Sequence, residues 1–127
     1  MKPYLFVYGT LTRSHPRVHR LLGPARFLGR GSIAGTLYDL GRYPGAYRRR
    51  GQRARVNGEL YELDGPRLRE RLKALDRYEG SQFRRARVRV RLKAGDQHLA
   101  WVYLLATAPP PSARHLPSGV YRPRRAA

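Results

Sequence analysis

The pattern that decides the fold is the stretch FRRARVRVRLK at residues 83–93, in which basic and apolar side chains alternate. A period of two is typical of a β-strand with one buried face and one solvent face. The basic face carries Arg85, Arg87, Arg89, Arg91 and Lys93, and the apolar face carries Ala86, Val88, Val90 and Leu92. The stretch therefore predicts a half-buried strand, with residues 97–106 as its hairpin partner.

The segments on either side of this hairpin alternate between strand-like and helix-like patterns. Strands are predicted at residues 3–8, 25–29, 32–40 and 58–63, and helices at 16–22 and 65–78. In the longer helix, Asp64 is the expected cap and Pro66 lies in the first turn. Residues 41–51 are expected to form a loop or a ragged edge, and residues 109–127 an irregular tail. The pattern as a whole predicts an α+β protein, with one domain over residues 1–127 and a sheet that can curl toward a barrel.

Two of these predicted strands echo each other, because Gly-Thr-Leu-Tyr-Asp-Leu at 35–40 resembles Gly-Glu-Leu-Tyr-Glu-Leu at 58–63. Two copies are too few for a repeat array. We interpret them as strands with similar environments.

Composition excludes several classes of protein. The mean hydropathy is −0.65, and no apolar run approaches the roughly 20 residues that span a bilayer. The amino-terminal apolar run ends in a Gly-Thr turn without a cleavage pattern, so we expect a buried strand and not a signal peptide. The absence of cysteine excludes disulfides, thiolate metal sites and a cysteine nucleophile. These features predict a soluble, cytoplasmic protein.

The formal net charge is +19, from 27 basic and 8 acidic residues. Such a field attracts polyanions, so nucleic acid is retained as a second, less favoured class of partner. Codon composition and adaptation to heat are alternative origins of the charge. For the basic face of residues 83–93, the two interpretations are a track for phosphates and a charged face that protects an edge strand from aggregation.

Two familiar motifs are set aside. Residues 29–34, Gly-Arg-Gly-Ser-Ile-Ala, match a dinucleotide-binding pattern, but the following residues are strand-like instead of helical. His15 and His19 are separated by Pro16 and have no evident third ligand. No metal site is predicted.

The first candidate for a functional site is the turn Tyr8-Gly9-Thr10-Leu11, which follows a strand with a buried sequence pattern. Gly9 allows a tight turn, and successive amides in such a turn can bind an anion. An ordinary structural turn is the alternative interpretation.

The second candidate is Glu79, at the carboxyl end of the longer helix. There the helix dipole disfavours negative charge and raises the pKa, although burial would have to supply most of the shift that a general base near neutral pH requires. A solvated glutamate paired with an arginine is the alternative interpretation.

The order and spacing of four motifs resemble the γ-glutamylcyclotransferase-like family, which includes the γ-glutamylamine cyclotransferases and AIG2-like proteins. The resemblance covers roughly residues 4 to 122, and its motifs are the following: Val7-Tyr8-Gly9-Thr10-Leu11, the Gly-x-Leu-Tyr strands, Leu75-Asp76-x-x-Glu79-Gly80 and Leu116-Pro117-Ser118-Gly119-x-Tyr121. The resemblance implies a small mixed sheet that closes into a barrel beside a cavity, with two or more helices packed against it.

The resemblance also implies roles for individual residues. Tyr8, Gly9, Thr10 and Leu11 would hold a γ-glutamyl substrate through backbone amides, and Glu79 would accept the proton as the substrate cyclises to 5-oxoproline and releases an amine. No cofactor is needed, because the substrate carries its own amine nucleophile. Tyr103 and Tyr121 are possible cavity residues, with core tyrosines as the alternative. The oligomeric state is not predicted, and neither is the leaving amine, although segment 41–56 is a candidate to contact it. A non-catalytic ligand-binding member of the fold and a nucleic-acid-binding protein remain the alternative functions.

Overall fold

The computed structural model describes residues 3–9, 11–12 and 19–121. Within that part of the chain there are eight strands, one α-helix and one short 3₁₀ turn. The strands are β1 Tyr4–Val7, β2 Ala25–Ala34, β3 Thr36–Asp39, β4 Pro44–Tyr47, β5 Arg55–Leu63, β6 Phe83–Leu92, β7 Gln97–Leu105 and β8 Arg114–His115. The 3₁₀ turn is Arg20–Leu22 and the α-helix, α1, is Leu68–Glu79.

Five strands form a closed barrel in the order β1-β5-β2-β6-β7. Neighbouring strands are antiparallel except where β1 meets β7, a parallel contact that pairs Leu5 with Trp101 and closes the barrel. The remaining strands form a second sheet in the order β4-β3-β8. The predicted α+β architecture with a barrel is therefore confirmed.

Strand β1 is buried on both faces, which explains its uninterrupted apolar sequence. Phe6 faces a first core cluster, which also contains Ile33, Leu60, Val90 and Val102. Leu5 and Val7 face a second cluster, and α1 packs against that cluster through the following side chains: Leu68, Leu72 and Leu75. The i, i+4, i+7 leucine stripe of the helix is thus its buried side. The end of β1 is fixed between the two clusters.

Helix α1 begins later than the sequence indicated. Its first residue is Leu68, and the preceding Arg67 has a left-handed backbone with φ of 60° and makes no side-chain cap. Asp64 is therefore not the cap and Pro66 precedes the helix. The amide of Asp64 instead donates to the carbonyl of Pro24, so this segment is tied to the start of β2.

Several other boundaries differ from the prediction. The strands expected at 25–29 and 32–40 are a long strand, β2, followed by β3 after a break at Gly35. The segment expected to be a loop, 41–51, contains β4. Residues 16–18 of the first predicted helix lie outside the described residues, and residues 20–22 form the 3₁₀ turn. His19, which precedes this turn, is helical, and α1 is the one α-helix that the described residues show over its full length.

The two echoing segments lie in different sheets. Leu37 and Leu60 are both fully buried in the first cluster, as similar environments require. The tyrosines differ, because Tyr61 is buried in the second cluster whereas Tyr38 is half-buried beside His115. The expectation holds for the leucines only.

Strand β6 is paired on both sides only at its carboxyl end. It pairs with β7 from Phe83 to Arg91 and with β2 at Gly31 with Leu92 and Ser32 with Arg91. Protection of a sheet edge therefore does not explain Arg91, but it does fit Arg85, Arg87 and Arg89, which lie where β2 does not pair with β6. Neither helical element in the described ranges is long and apolar enough to cross a membrane.

Candidate active site

A cavity of about 500 Å³ lies where the end of β1, the start of β4 and the carboxyl end of α1 meet. Four of the residues expected in the site line it: Tyr8, Gly9, Leu11 and Glu79. Thr10, the fifth, lies outside the described residues. The fold therefore brings together two segments that are about 70 positions apart in the sequence.

The turn after β1 is closed by Thr12. Its amide donates to the carbonyl of Gly9 at 3.2 Å, and its hydroxyl donates to the same oxygen at 2.8 Å. Gly9 is required here because of close packing, since a Cβ at this position would lie 2.8 Å from Cγ of Pro44. The backbone of the turn therefore packs directly against the first residue of β4.

The side chain of Tyr8 holds the turn to both sheets. Its hydroxyl donates to the carbonyl of Tyr103 on β7 at 2.5 Å and accepts from the amide of Ala46 on β4 at 3.1 Å. Burial raises the pKa of Tyr8 above its ordinary value, and the nearby charge of Glu79 also contributes. The tyrosine is therefore neutral, with both its donor and an acceptor site engaged by the backbone.

Glu79 is the last residue of α1, and its half-buried carboxyl lines the cavity. Burial raises the pKa of this carboxyl from 4.5 to about 7. The amide of Gly80 donates to the carbonyl of Asp76 at 3.0 Å and ends the helix at this point. A carboxyl with this pKa exchanges protons readily at neutral pH.

One turn earlier, Asp76 belongs to a hydrogen-bond network that the sequence analysis did not identify. Its carboxylate accepts from the Tyr103 hydroxyl at 2.6 Å and from Arg85 at 2.9 and 3.3 Å. Burial by itself would raise the pKa of Asp76, but the hydrogen bonds from Tyr103 and Arg85 and the charge of Arg85 lower it overall. The only signal in the sequence was the spacing of Asp76 three residues before Glu79.

The two candidate tyrosines lie in different places. Tyr103 lines the cavity, and burial together with its bond to Asp76 raises the pKa of its hydroxyl. Tyr121 is not among the lining residues. It packs against the first core cluster, and its hydroxyl donates to the carbonyl of Arg42 at 3.4 Å, so the core interpretation applies to Tyr121.

Tyr43 lies in the segment 41–56 that was expected near the leaving amine, whereas no sequence pattern pointed to Gln82. The Tyr43 hydroxyl donates to the Gln82 side-chain oxygen at 2.5 Å, and both residues line the cavity. They also line a second groove of about 620 Å³, which runs along residues 105–114 and past Asp39. The Tyr43–Gln82 bond therefore marks the boundary between the cavity and the groove.

His19 has a structural role in the described part of the chain. Its Nδ1 lies 2.9 Å from the carbonyl of Leu11, and its ring packs against Tyr61 at 5.1 Å between centroids. It therefore supports the far end of the turn. His15 lies outside the described residues.

Comparison with known proteins gives the family. A sequence model described as "Gamma-glutamyl cyclotransferase, AIG2-like" matches residues 5–123, nearly the whole chain. The chain belongs to this family. The matched range contains the turn after β1, α1 with Glu79 and the five barrel strands apart from Tyr4, the first residue of β1.

Named relatives of this cyclotransferase-family chain are found in animals and bacteria. It is 32% identical over 120 residues to the Drosophila melanogaster protein named "Putative gamma-glutamylcyclotransferase CG2811", with 86% of this chain and 73% of that protein covered. It is 38% identical over 109 residues to the gamma-L-glutamyl-butirosin B gamma-glutamyl cyclotransferase of Niallia circulans, with 80% of this chain and 66% of that protein covered.

Two solved structures share the fold. An AIG2-like protein from Mus musculus is 27% identical with a TM-score of 0.70, and the match covers 99% of both chains. YkqA from Bacillus subtilis has a TM-score of 0.74 at 24% identity, and the match covers 95% of this chain but only 40% of that longer protein.

Proposed function

We propose that this protein is a γ-glutamylcyclotransferase that converts a γ-glutamyl amide or γ-glutamylamine into 5-oxoproline and a free amine. The observation that carries the proposal is the position of Glu79, whose pKa is about 7, in the same cavity as the turn that begins at Tyr8. The names of two relatives support this class of substrate.

The proposed reaction is intramolecular. The α-amine of the substrate attacks its own γ-carbonyl, a C–N bond forms, and Glu79 takes a proton from the attacking nitrogen. The tetrahedral intermediate then expels the leaving amine, which receives the proton from Glu79. Because nucleophile and electrophile belong to one molecule, the main task of the protein is to hold the substrate in a folded conformation. This orientation can lower the activation barrier by several kcal/mol.

The contrast between the two carboxyl groups near the end of α1 supports this role for Glu79. Asp76 is kept ionised by Arg85 and Tyr103, so it is a poor proton acceptor. Glu79 is free to cycle between its two protonation states near neutral pH. Neighbouring groups whose pKa values are driven apart are a common arrangement in acid–base catalysis.

The turn after β1 is the proposed binding element for the γ-glutamyl part. Gly9 and Leu11 line the cavity with Tyr8, and the Tyr8 hydroxyl is already bonded to the backbone of two strands. The proposed contacts to substrate are therefore made by the backbone amides of the turn, either to the α-carboxylate or to the developing oxyanion.

The leaving amine is proposed to extend toward the second groove. Arg42, Tyr43 and Pro44 line the cavity on the side that this groove adjoins, and they belong to the segment expected to contact that part of a substrate. The groove has apolar walls that include Leu105, Pro109 and Pro110. A substrate with a carbon chain attached to the departing nitrogen fits this arrangement.

The deciding experiment incubates the protein with a panel of γ-glutamyl amines, γ-glutamyl peptides and γ-glutamyl-lysine and measures 5-oxoproline. Production that exceeds the protein-free rate and depends on the leaving group is expected. If no panel member yields 5-oxoproline but some protect the protein against thermal unfolding, the protein is instead a non-catalytic ligand-binding member of the family.

A further inference from the structure

The outer side of the barrel carries an arginine face, which we define as Arg30, Arg48, Arg55, Arg89 and Arg91. Cross-strand pairing brings three of its strands together: Ser32 of β2 lies opposite Arg91 of β6, and Ala34 of β2 lies opposite Arg55 of β5. Arg30, Arg48, Arg89 and Arg91 are exposed. The face therefore extends across β5, β2 and β6.

At the centre of the arginine face, Arg55 is fixed in place. Its guanidinium donates to the hydroxyl of Ser32 at 3.1 Å and to the carbonyl of Ser32 at 2.9 Å. Burial lowers the pKa of Arg55, and repulsion from Arg91 and Arg48 lowers it further. Arg91 and Arg48 thus lie close enough to Arg55 to repel its guanidinium, and a bound anion would relieve this repulsion.

Several acidic residues of the described chain are engaged elsewhere. Asp76 is bonded to Arg85, Glu62 to Arg26 at 2.9 Å, and Asp39 to Arg114 at 3.5 Å. Glu59 lies opposite Arg30 at one end of the face, and its carboxylate accepts a hydrogen bond from the Tyr61 hydroxyl at 3.0 Å. None of these three ion pairs involves an arginine of the arginine face.

The shape of the face favours a linear anion. Arg89 and Arg91 are alternate residues of one strand, so their side chains leave the sheet on the same side about 7 Å apart. Nearby Trp101 is covered by guanidinium groups, since those of Arg85 and Arg87 lie 4.5 and 4.6 Å from its ring centroid. Its indole is therefore not a platform on which bases could stack.

We infer that the arginine face binds the phosphate backbone of nucleic acid without selecting bases. Several exposed guanidinium groups around the fixed Arg55 match an extended row of phosphates better than they match one small anion. Edge protection does not account for Arg91, because β6 is paired on both sides at that residue. None of the five arginines lines the cavity, so the two sites are separable.

The test measures binding of a short mixed-sequence DNA duplex, and of one of its strands, as a function of salt. The triple variant Arg48→Gln, Arg89→Gln and Arg91→Gln removes three charges from the face while leaving the Arg55–Ser32 bonds intact. The matched control, Arg69→Gln, Lys73→Gln and Arg77→Gln, removes three exposed charges from α1. Circular dichroism and thermal unfolding check that both variants are folded.

The face variant is expected to bind at least about tenfold more weakly than the control, and its plot of log affinity against log salt should be shallower by about 2 to 3. Duplex and single strand should be bound with similar affinity. Equal losses in the two variants would show that the net charge alone binds DNA and would overturn the proposal. Absence of salt-dependent binding by the unmodified protein would also overturn it. Tighter binding of the protein to anionic lipid vesicles, from which the duplex cannot release it, would overturn the proposal as well.

Discussion

Asp76 and Glu79 lie one helical turn apart at the end of α1, yet their pKa values are shifted in opposite directions. The Tyr103 hydroxyl and the Arg85 guanidinium lower the pKa of Asp76 against the effect of its burial, whereas burial raises that of Glu79 to about 7. Asp76 therefore provides a fixed negative charge that orders its neighbours. Glu79 provides a group that can accept and return a proton.

The first prediction concerns Glu79→Gln, which keeps the size of the side chain but removes the proton acceptor. Loss of a general base lowers rates by about 10² to 10⁴, so 5-oxoproline production should fall by that factor while substrate binding persists. Glu70→Gln is the control, because Glu70 is an exposed glutamate in the first turn of the same helix. Equal activity of the two variants would remove Glu79 from the mechanism.

The second prediction is a pH profile. Only the ionised form of Glu79 can accept a proton, so kcat/KM should increase with pH and level off above an apparent pKa of about 7. The measurement is the initial rate at low substrate concentration across the pH range. A profile whose midpoint lies near 4.5, the ordinary value, would mean that the working carboxyl is not buried.

The third prediction concerns stability. The folded-state pKa of Glu79 is above its unfolded value of 4.5, so the native state binds more protons between pH 4.5 and about 7. Its contribution to the free energy of unfolding should therefore fall as pH rises through that window, by roughly 3 kcal/mol. Glu79→Gln lacks this titration. The free energy of unfolding of the variant, measured by denaturant unfolding, should therefore increase relative to that of the unmodified protein between about pH 4.5 and 8. A difference that does not change with pH would contradict the raised pKa of Glu79.

The fourth prediction tests the contact between Gly9 and Pro44. In Gly9→Ala, the new methyl group would lie 2.8 Å from Cγ of Pro44, so the turn or β4 must shift. A displacement of about 1 Å near reacting groups can cost about a hundredfold in rate, and we expect kcat/KM to fall by at least tenfold. Pro44→Ala removes the clashing ring carbon. The double variant should recover much of the lost activity, and failure to do so would show that the glycine has another role.

The sequence was most informative where one physical pattern controls the structure. The alternation in residues 83–93 predicted β6, and the leucine stripe predicted the buried side of α1, because burial of one face determines both patterns. The start of α1 was not predictable in this way, since Arg67 takes a left-handed conformation that no local preference favours.

The candidate site was only partly predictable. The turn after β1 and Glu79 were identified from motifs, and the structure brings them to one cavity. Tyr43 was predicted only as part of segment 41–56, and Gln82 was not predicted, because their pairing is a contact between residues 39 positions apart. The pairing of Asp76 with Arg85 was likewise invisible, because it depends on how α1 packs beside β6.

The closing contact of the barrel has a consequence for how the site is made. Strand β1 takes its place only between β5 and β7, and β7 is the last barrel strand along the chain. The turn that follows β1 is therefore positioned by residues roughly 90 positions later, including Tyr103, whose carbonyl receives the Tyr8 hydroxyl. A chain that ended at β6 would already carry the turn and Glu79, but it would lack Tyr103, which lines the cavity and holds Tyr8. The candidate site is therefore complete only when β7 is in place.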